Sequence, residues 1–225
     1  MSVSHHLTSE TIQDYASGSL SPSMETLVAC HLTVCSHCRR RAELADQVGG
    51  SLFEQGESEH VTLSAAELLR KAASFPEHSV PSVASAASTG NSEYEPKNGV
   101  PRPLARLLPD RLEELDWSRI APGIKQFNLS DQHRSQGAFK LLHLNPGVVL
   151  SEHSHNDREL TYIVRGSYQD SIGRFKAGDI ADLDDDILHQ PVVDTDEPCI
   201  ALIATQSPVR YSGILGKIMQ PFVGI

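Results

Sequence analysis

The sequence predicts a protein of two domains, a small all-α domain held together by a metal ion and an all-β domain that follows it. Apolar residues recur with helical spacing before residue 76, whereas short alternating segments separated by Gly, Pro and Asp follow residue 100. Metal-ligating residue types are grouped in both halves. The residues between them are rich in Ser, Ala, Pro and Gly and lack periodic apolar positions, which predicts a flexible linker. The predicted boundaries are 1–75, 76–100 and 101–225.

Composition and charge exclude several function classes. The chain has 225 residues, 39% of them hydrophobic and 21% charged, which is typical of a soluble globular protein. No apolar run approaches the roughly 18 residues that cross a bilayer, and the N-terminus lacks the features of a signal peptide, so we expect a cytoplasmic protein without a membrane contact. The net charge of −10 argues against nucleic acid as a direct partner, because phosphate binding requires a basic surface. A zinc-dependent DNA-binding regulator is disfavoured further, since the helical domain has five Lys and Arg against nine Asp and Glu.

Cap residues and breakers predict the helices of the first domain. One helix starts near Ser9 and ends before Gly18, and Ser21-Pro22 caps and opens a second helix. A third helix is predicted from about Ser36 to the Gly49-Gly50 pair. Ser64-Ala-Ala-Glu67 is a capping box that starts a fourth helix. This fourth helix either packs on the first three or docks on another protein as an amphipathic segment.

The segment from His31 to Cys38 predicts a structural metal site. On one helix, the offsets of His31, Cys35 and Cys38 would place the three side chains within roughly 60° of arc, and the side chains also converge if the cysteines form a knuckle between two helices. Thiolate with imidazole is a zinc ligand set, and tetrahedral zinc requires a fourth ligand, for which His5 and His6 are the nearest candidates. A dithiol redox pair is the alternative, but the βαβ unit typical of such motifs is absent from the pattern.

A second ligand set lies in the β-rich half. The pattern Gly147-x5-His153-x-His155-x3-Glu159-x6-Gly166 fits the first cupin motif at every specified position. Gly178-Asp179 begins a partial match to the second motif. Residues i and i+2 of a strand point to the same face, so two of the histidines should point into a barrel. The sequence thus predicts a jelly-roll cupin domain that binds zinc or another divalent metal through His153, His155, Glu159 and His189.

The second cupin motif departs from the usual pattern. Asp184 replaces its proline, Asp186 its glycine and Val193 its asparagine, while the position of the metal histidine is kept. The acidic run of this region is interpreted mainly as a solvated turn, and its members are Asp179, Asp182, Asp184, Asp185 and Asp186.

The order and spacing of both ligand sets resemble the ChrR family of bacterial anti-sigma factors. The resemblance covers nearly the whole chain and includes the paired His5-His6 start, the text VACHLTVCSHCRRRA and the segment VGGSL. It implies that the helical domain holds an extracytoplasmic-function (group IV) sigma factor in a one-to-one heterodimer and keeps it from RNA polymerase. It also implies that the cupin domain is needed for release under oxidative stress, on singlet oxygen or organic peroxide. The N-terminal zinc ligands that it implies are His6, His31, Cys35 and Cys38.

A metal-dependent cupin enzyme with an accessory helical domain is the competing interpretation. A metal held by three histidines and a glutamate with an open coordination position could activate dioxygen or isomerise a small substrate. Such an enzyme has no need of a zinc-stapled helical domain on a flexible linker. The sequence therefore favours a regulator without catalytic residues.

Overall fold

Helices precede an antiparallel β domain in this computed structural model, as the sequence predicts. The structure describes residues 3–56, 64–74, 99–109, 111–129, 137–150, 153–154, 158–183, 190–205 and 210–211, with side chains left undescribed at a few of them. The chain divides into two compact units, Met1–Gly49 with Glu95–Ile225 and, separately, Gly50–Tyr94. The helices are α1 Ser9–Ala16, α2 Pro22–Val34, α3 Ser36–Gln55, α4 Ala65–Ser74 and α5 Arg102–Ala105. No helix in the described ranges is long and apolar enough to cross a membrane.

The first two helices begin where the sequence predicts. Thr8 precedes α1, and its hydroxyl accepts a hydrogen bond from the backbone N–H of Thr11 at 3.2 Å. Ser21 caps α2 in the same way, and Pro22 occupies the first position of that helix, where its missing N–H costs nothing. Both predicted starts are confirmed.

The predicted end of the third helix is wrong, because α3 continues through Gly49 and Gly50 to Gln55. A glycine inside a helix costs only about 1 kcal/mol relative to alanine, and it still makes the backbone hydrogen bonds of the helix. In the second unit, the predicted capping box of α4 is confirmed: Ser64 N and Oγ donate to Glu67 Oε2 at 3.0 and 2.8 Å, and Glu67 N donates to Ser64 Oγ at 3.3 Å.

The β domain contains one large sheet and two smaller pairs of strands. The large sheet is six-stranded and antiparallel in the order β1-β2-β3-β9-β5-β8, and the pairs are β4 with β10 and β6 with β7. The strands are β1 Ser118–Ala121, β2 Ile124–Asn128, β3 Phe139–Leu144, β4 His153–Ser154, β5 Glu159–Arg165, β6 Ser167–Gln169, β7 Arg174–Lys176, β8 Ile180–Leu183, β9 Cys199–Thr205 and β10 Arg210–Tyr211. This arrangement is the predicted cupin architecture, with the strands following the helices.

The large sheet is buried on both faces at β9, since all seven residues of that strand are buried. Ile200 and Leu202 belong to the same apolar core as Leu27 of α2, whereas Ala201 belongs to a second core with Phe175 of β7. Antiparallel sheets commonly leave one face in water. Here α2 packs against β5 and β9, so this helix covers that part of the outer face.

The helices α1 and α2 and the β domain therefore share one hydrophobic core. Val100, which the sequence places at the end of the linker, is buried, and α5 contacts α2. Most of the predicted linker lies outside the described residues. The boundaries 1–75, 76–100 and 101–225 stay a prediction.

Candidate metal centre

Four of the predicted ligands converge where α2 ends and α3 begins. We call them the helical metal cluster, which consists of His6, His31, Cys35 and Cys38. One lies in the last turn of α2, one caps that helix, one lies in the first turn of α3, and His6 comes from the N-terminal arm (residues 3–8), which precedes α1. Their ligand atoms all lie within 4.8 Å of one another, so this cluster could hold a metal ion.

The distances in the helical metal cluster suit tetrahedral zinc. His6 Nδ1 lies 3.3 Å from Cys35 Sγ and 3.7 Å from Cys38 Sγ. Zinc bonds of about 2.0–2.3 Å in a tetrahedron separate the ligand atoms by about 3.3–3.8 Å. Two thiolates and two imidazoles also form a common structural zinc set. The donor chemistry and the two distances from His6 therefore fit the group that the sequence predicts.

His31 is oriented so that one ring nitrogen remains for a metal. Its Nδ1 lies 3.0 Å from the backbone oxygen of Gly178, and a carbonyl oxygen only accepts, so Nδ1 carries the proton. Its Nε2 is buried and has no hydrogen-bond partner among the described residues. Burial lowers the pKa of His31 to about 4, against a smaller opposing effect of the Gly178 hydrogen bond, so the ring is neutral at pH 7. A buried lone pair without a partner is costly, and a metal ion would satisfy it.

Cys38 is protonated in the metal-free protein. Burial raises the pKa of its thiol to about 11, and the neighbouring Cys35 adds to the rise. The backbone N–H of Cys38 donates to Cys35 Sγ at 3.4 Å. Because metals bind the thiolate, metal binding at this cluster must release protons.

The structure distinguishes His6 from the neighbouring candidates. The ring of His5 turns away from the cluster and stacks on Phe175 of β7, with 3.9 Å between the ring centroids. His37 is exposed, and its ring centroid lies 4.8 Å from that of His6, but it does not belong to the cluster. Cys30 is buried in the shared apolar core, where burial raises its pKa to about 12.

Arg41 of α3 fixes the chain directly after His6. One guanidinium nitrogen donates to the backbone oxygen of Leu7 at 2.7 Å, and the other donates to Ser9 Oγ at 2.9 Å. The sequence predicts that the basic cluster of Arg39, Arg40 and Arg41 forms a solvated face of the helix or meets an acidic protein surface. Arg41 instead ties the N-terminal arm to the helix that carries Cys38.

The interpretation of the acidic run as a solvated turn is wrong for Asp179. This side chain is fully buried, and its Oδ1 accepts hydrogen bonds from the backbone N–H groups of Ser4 and His5 at 2.6 and 3.1 Å. Burial alone would raise its pKa, but these bonds and one from the Lys176 N–H outweigh it and hold the pKa of Asp179 below its ordinary value. Asp182 also contacts the arm, since its Oδ2 accepts from Thr8 N and Thr8 Oγ1, both at 2.9 Å.

Sequence reasoning also missed Arg158, the residue before the predicted cupin ligand Glu159. Its guanidinium forms ion pairs with Glu10 and Asp14 of α1, although only 14% of its side chain is exposed. No local signal pairs a residue of the cupin motif with the first helix. A sequence alone identifies such a contact only through a comparison of many relatives.

The cupin ligand set is described only in part. Glu159 begins β5 and is buried, and its Oε1 accepts a hydrogen bond from Thr161 Oγ1 at 3.1 Å. His153 lies in β4, where its backbone pairs with Tyr211. His155 and His189 lie outside the described residues, so the four-ligand cupin site stays a prediction.

Comparisons with known proteins connect both halves of the chain to one kind of protein. A family model described as a ChrR cupin-like domain matches residues 110–208. The chain is 34% identical over 225 residues to the anti-sigma-E factor ChrR of Cereibacter sphaeroides, with all of both chains covered. It also matches a chain in the crystal structure of Rhodobacter sphaeroides SigE in complex with the anti-sigma ChrR, with a TM-score of 0.70 and 32% identity. That match covers 91% of this chain and 99% of the other.

Proposed function

This chain belongs to the ChrR family of anti-sigma factors, and we propose that it sequesters an extracytoplasmic-function sigma factor and blocks its binding to RNA polymerase. The observation that carries the proposal is the identity of 34% along the full length of both chains, helices and cupin included. The structural match to a SigE–ChrR complex supports the same kind of partner. A one-to-one complex in the cytoplasm, formed through residues 1–75, is the corresponding assembly.

An exposed apolar stripe on α3 supports a docking surface for this partner. The exposed α3 stripe consists of Leu44 and Val48, which are 60% and 53% exposed. Residues four apart lie on one side of a helix, so the two side chains are neighbours on its surface. Large aliphatic side chains on helices are the anchors of helix-in-groove recognition.

Zinc in the helical metal cluster would stabilise the domain that holds the sigma factor. The buried Nε2 of His31 and the convergent thiols of Cys35 and Cys38 support this assignment. Structural zinc contributes folding free energy on the order of 10 kcal/mol, which a domain of short helices can use. The metal supplies no reaction here; its role is to join the arm, α2 and α3.

The cupin domain is the proposed sensor. Three histidines and one glutamate would hold zinc or another divalent metal with a coordination position left for an oxidant or its product. On this proposal singlet oxygen or organic peroxide acts at the cupin domain and causes release of the sigma factor. Glu159 is buried at the start of β5, where the first cupin motif places its carboxylate ligand, and this position supports a ligand role.

The enzyme alternative is disfavoured by the helical half. If the chain were a cupin enzyme with an accessory domain, we would expect its similarity to enzymes to lie in the cupin half. The ChrR protein of Cereibacter sphaeroides instead matches the helices and the cupin domain together. The described α1 and α2 also share a core with the sheet, which suits a regulator whose two parts act on each other.

The test is co-expression of the chain with the extracytoplasmic-function sigma factors of its host and a sigma-dependent reporter. The full chain is expected to co-purify with one of them and to suppress its reporter. His6→Ala should lose both effects, because it removes a ligand of the helical metal cluster. The matched control is His37→Ala, which removes a nearby exposed imidazole outside the cluster. A reporter that stays fully active with the unaltered chain would refute the proposed function.

A further inference from the structure

The N-terminal arm is held by a buried carboxylate of the cupin domain. Asp179 Oδ1 accepts the backbone N–H groups of Ser4 and His5, and its Oδ2 accepts the N–H of Lys176 at 3.0 Å. Hydrogen bonds to an ionised carboxylate are about twice as strong as those between neutral groups. The residue that Asp179 holds, His5, directly precedes the metal-cluster residue His6. The position of the arm backbone therefore depends on this cupin residue.

The paired histidines of the arm face in opposite directions. The ring of His5 stacks on Phe175, and its Nδ1 lies 3.4 Å from Asp179 Oδ2. His6 faces the two sulfur atoms of the helical metal cluster. Because adjacent residues share one stretch of backbone, holding His5 against the cupin domain also holds His6 toward the metal.

A second contact from the same turn holds another ligand. The backbone oxygen of Gly178 lies 3.0 Å from His31 Nδ1 and determines which nitrogen of that ring is free. Gly178 has a φ of +94°, which favours glycine, and a Cβ there would lie 3.4 Å from Val3 Cγ2 and 3.5 Å from Val34 Cγ2. Val3 of the arm and Val34 at the end of α2 thus both lie close to this turn.

We propose that the cupin turn, Gly178–Asp179, is the outer shell of the helical metal cluster. Its carbonyl orients His31, and its carboxylate, through the arm, positions His6. In metal sites such outer partners raise affinity, and their removal typically costs about 10- to 100-fold. The cluster therefore binds metal more tightly when the arm is docked on the cupin domain than when it is released.

This coupling works in both directions. A metal that binds the docked arm more tightly stabilises docking by the same factor. Arg158 adds a second connection, because it joins α1 to the residue directly before Glu159. A structural change at the cupin end of these contacts would weaken the metal site and loosen the helices together. The inference rests on the proposed metal site and gives the proposed release a physical route.

The experiment measures Co²⁺ affinity of the full chain without any sigma factor. Thiolate coordination of Co²⁺ gives a charge-transfer absorption, which reports on Cys35 and Cys38 and not on the predicted cupin ligands, none of which is a cysteine. Asp179→Ala is expected to weaken Co²⁺ binding at least about ten-fold. Asp179→Asn keeps one oxygen that can accept from the N–H groups of the arm, so its Co²⁺ affinity should lie between those of the unaltered chain and Asp179→Ala. The matched control Asp194→Ala removes a carboxylate that pairs with Arg174 of the same domain, and its Co²⁺ affinity should be unchanged.

His5→Ala keeps the proposal testable if the Asp179 variants fail to fold. This variant removes the ring that stacks on Phe175 and leaves the cupin turn intact. It should weaken Co²⁺ binding by a smaller factor, with an unchanged far-ultraviolet circular dichroism spectrum. A folded Asp179→Ala protein with unaltered Co²⁺ affinity would overturn the inference, and His5→Ala decides alone if that protein is unfolded. Absence of the charge-transfer band in the unaltered chain would overturn the metal site itself, which is a distinguishable failure.

Discussion

The exposed α3 stripe yields the most quantitative prediction about the partner. Leu44 and Val48 are replaced together by alanine, a substitution that preserves helix propensity. Full burial of a Leu or Val side chain contributes about 1.5–3 kcal/mol. Leu44 and Val48 are 60% and 53% exposed, and a partner would bury this remaining surface. Each truncation should therefore cost about 1 kcal/mol of binding free energy, and the pair about 2 kcal/mol.

A loss of about 2 kcal/mol corresponds to an affinity about thirty-fold weaker. The dissociation constant for the co-purified sigma factor is measured by isothermal titration calorimetry with the unaltered chain and the double variant. Because both side chains are mostly exposed, the free energy of unfolding should change by less than about 0.5 kcal/mol. Thermal unfolding of the free chain checks that expectation.

The matched control is Val149→Ala in the β domain, where the side chain is 54% exposed. This variant truncates an aliphatic side chain of similar exposure that lies outside the stripe, so its affinity for the sigma factor should equal that of the unaltered chain. If the Leu44 and Val48 double variant binds the sigma factor as tightly as the unaltered chain, the stripe is not part of the interface. If Val149→Ala lost as much affinity for the sigma factor, the loss would not depend on the location of the side chain in the stripe, and the reasoning would be refuted.

Two further predictions concern the two metal sites. Zinc binding to the metal-free chain at pH 7 should release at least about one proton, because burial raises the pKa of Cys38 to about 11 and the metal requires its thiolate. The number of protons is measured by calorimetry in buffers of different ionisation enthalpy. A binding heat that does not depend on the buffer would contradict the prediction. Replacing a predicted cupin ligand with alanine should leave inhibition of the sigma factor intact and abolish its release on singlet oxygen or organic peroxide, as measured in a reporter assay. Constitutive sigma activity would instead mean that the cupin metal is needed for binding the sigma factor. The variants for this second prediction are His153→Ala, His155→Ala, Glu159→Ala and His189→Ala.

Local patterns were sufficient to predict the helix starts and the centre of the metal cluster. A cap is a contact between residues three apart, as between Ser64 and Glu67, so the sequence contains the whole interaction. Cys35 and Cys38 likewise lie close to His31 along the chain, and two different helical arrangements both bring them together. The end of α3 was predicted less well, because Gly49 and Gly50 weaken a helix without blocking its hydrogen bonds.

The choice between His5 and His6 required the tertiary structure. Both are imidazoles at the start of the chain, and spacing does not separate them. The resemblance to a family implied His6, and the structure provides the physical reason, since Phe175 and Asp179 take the His5 ring. These partners lie far from the arm in sequence, as the 175-residue separation of Ser4 and Asp179 illustrates.

The sequence by itself determined that helices precede a β domain of the cupin fold, and it predicted which residues bind metal, because helical periodicity, caps and ligand motifs are properties of short segments. Only the tertiary structure decided that Asp179 is buried, that Arg158 pairs with α1 and that α2 packs against β5 and β9. An acidic run has the same local pattern whether water or a backbone arm satisfies it. The difference lies in the packing of segments that are distant in the chain, which no local pattern contains.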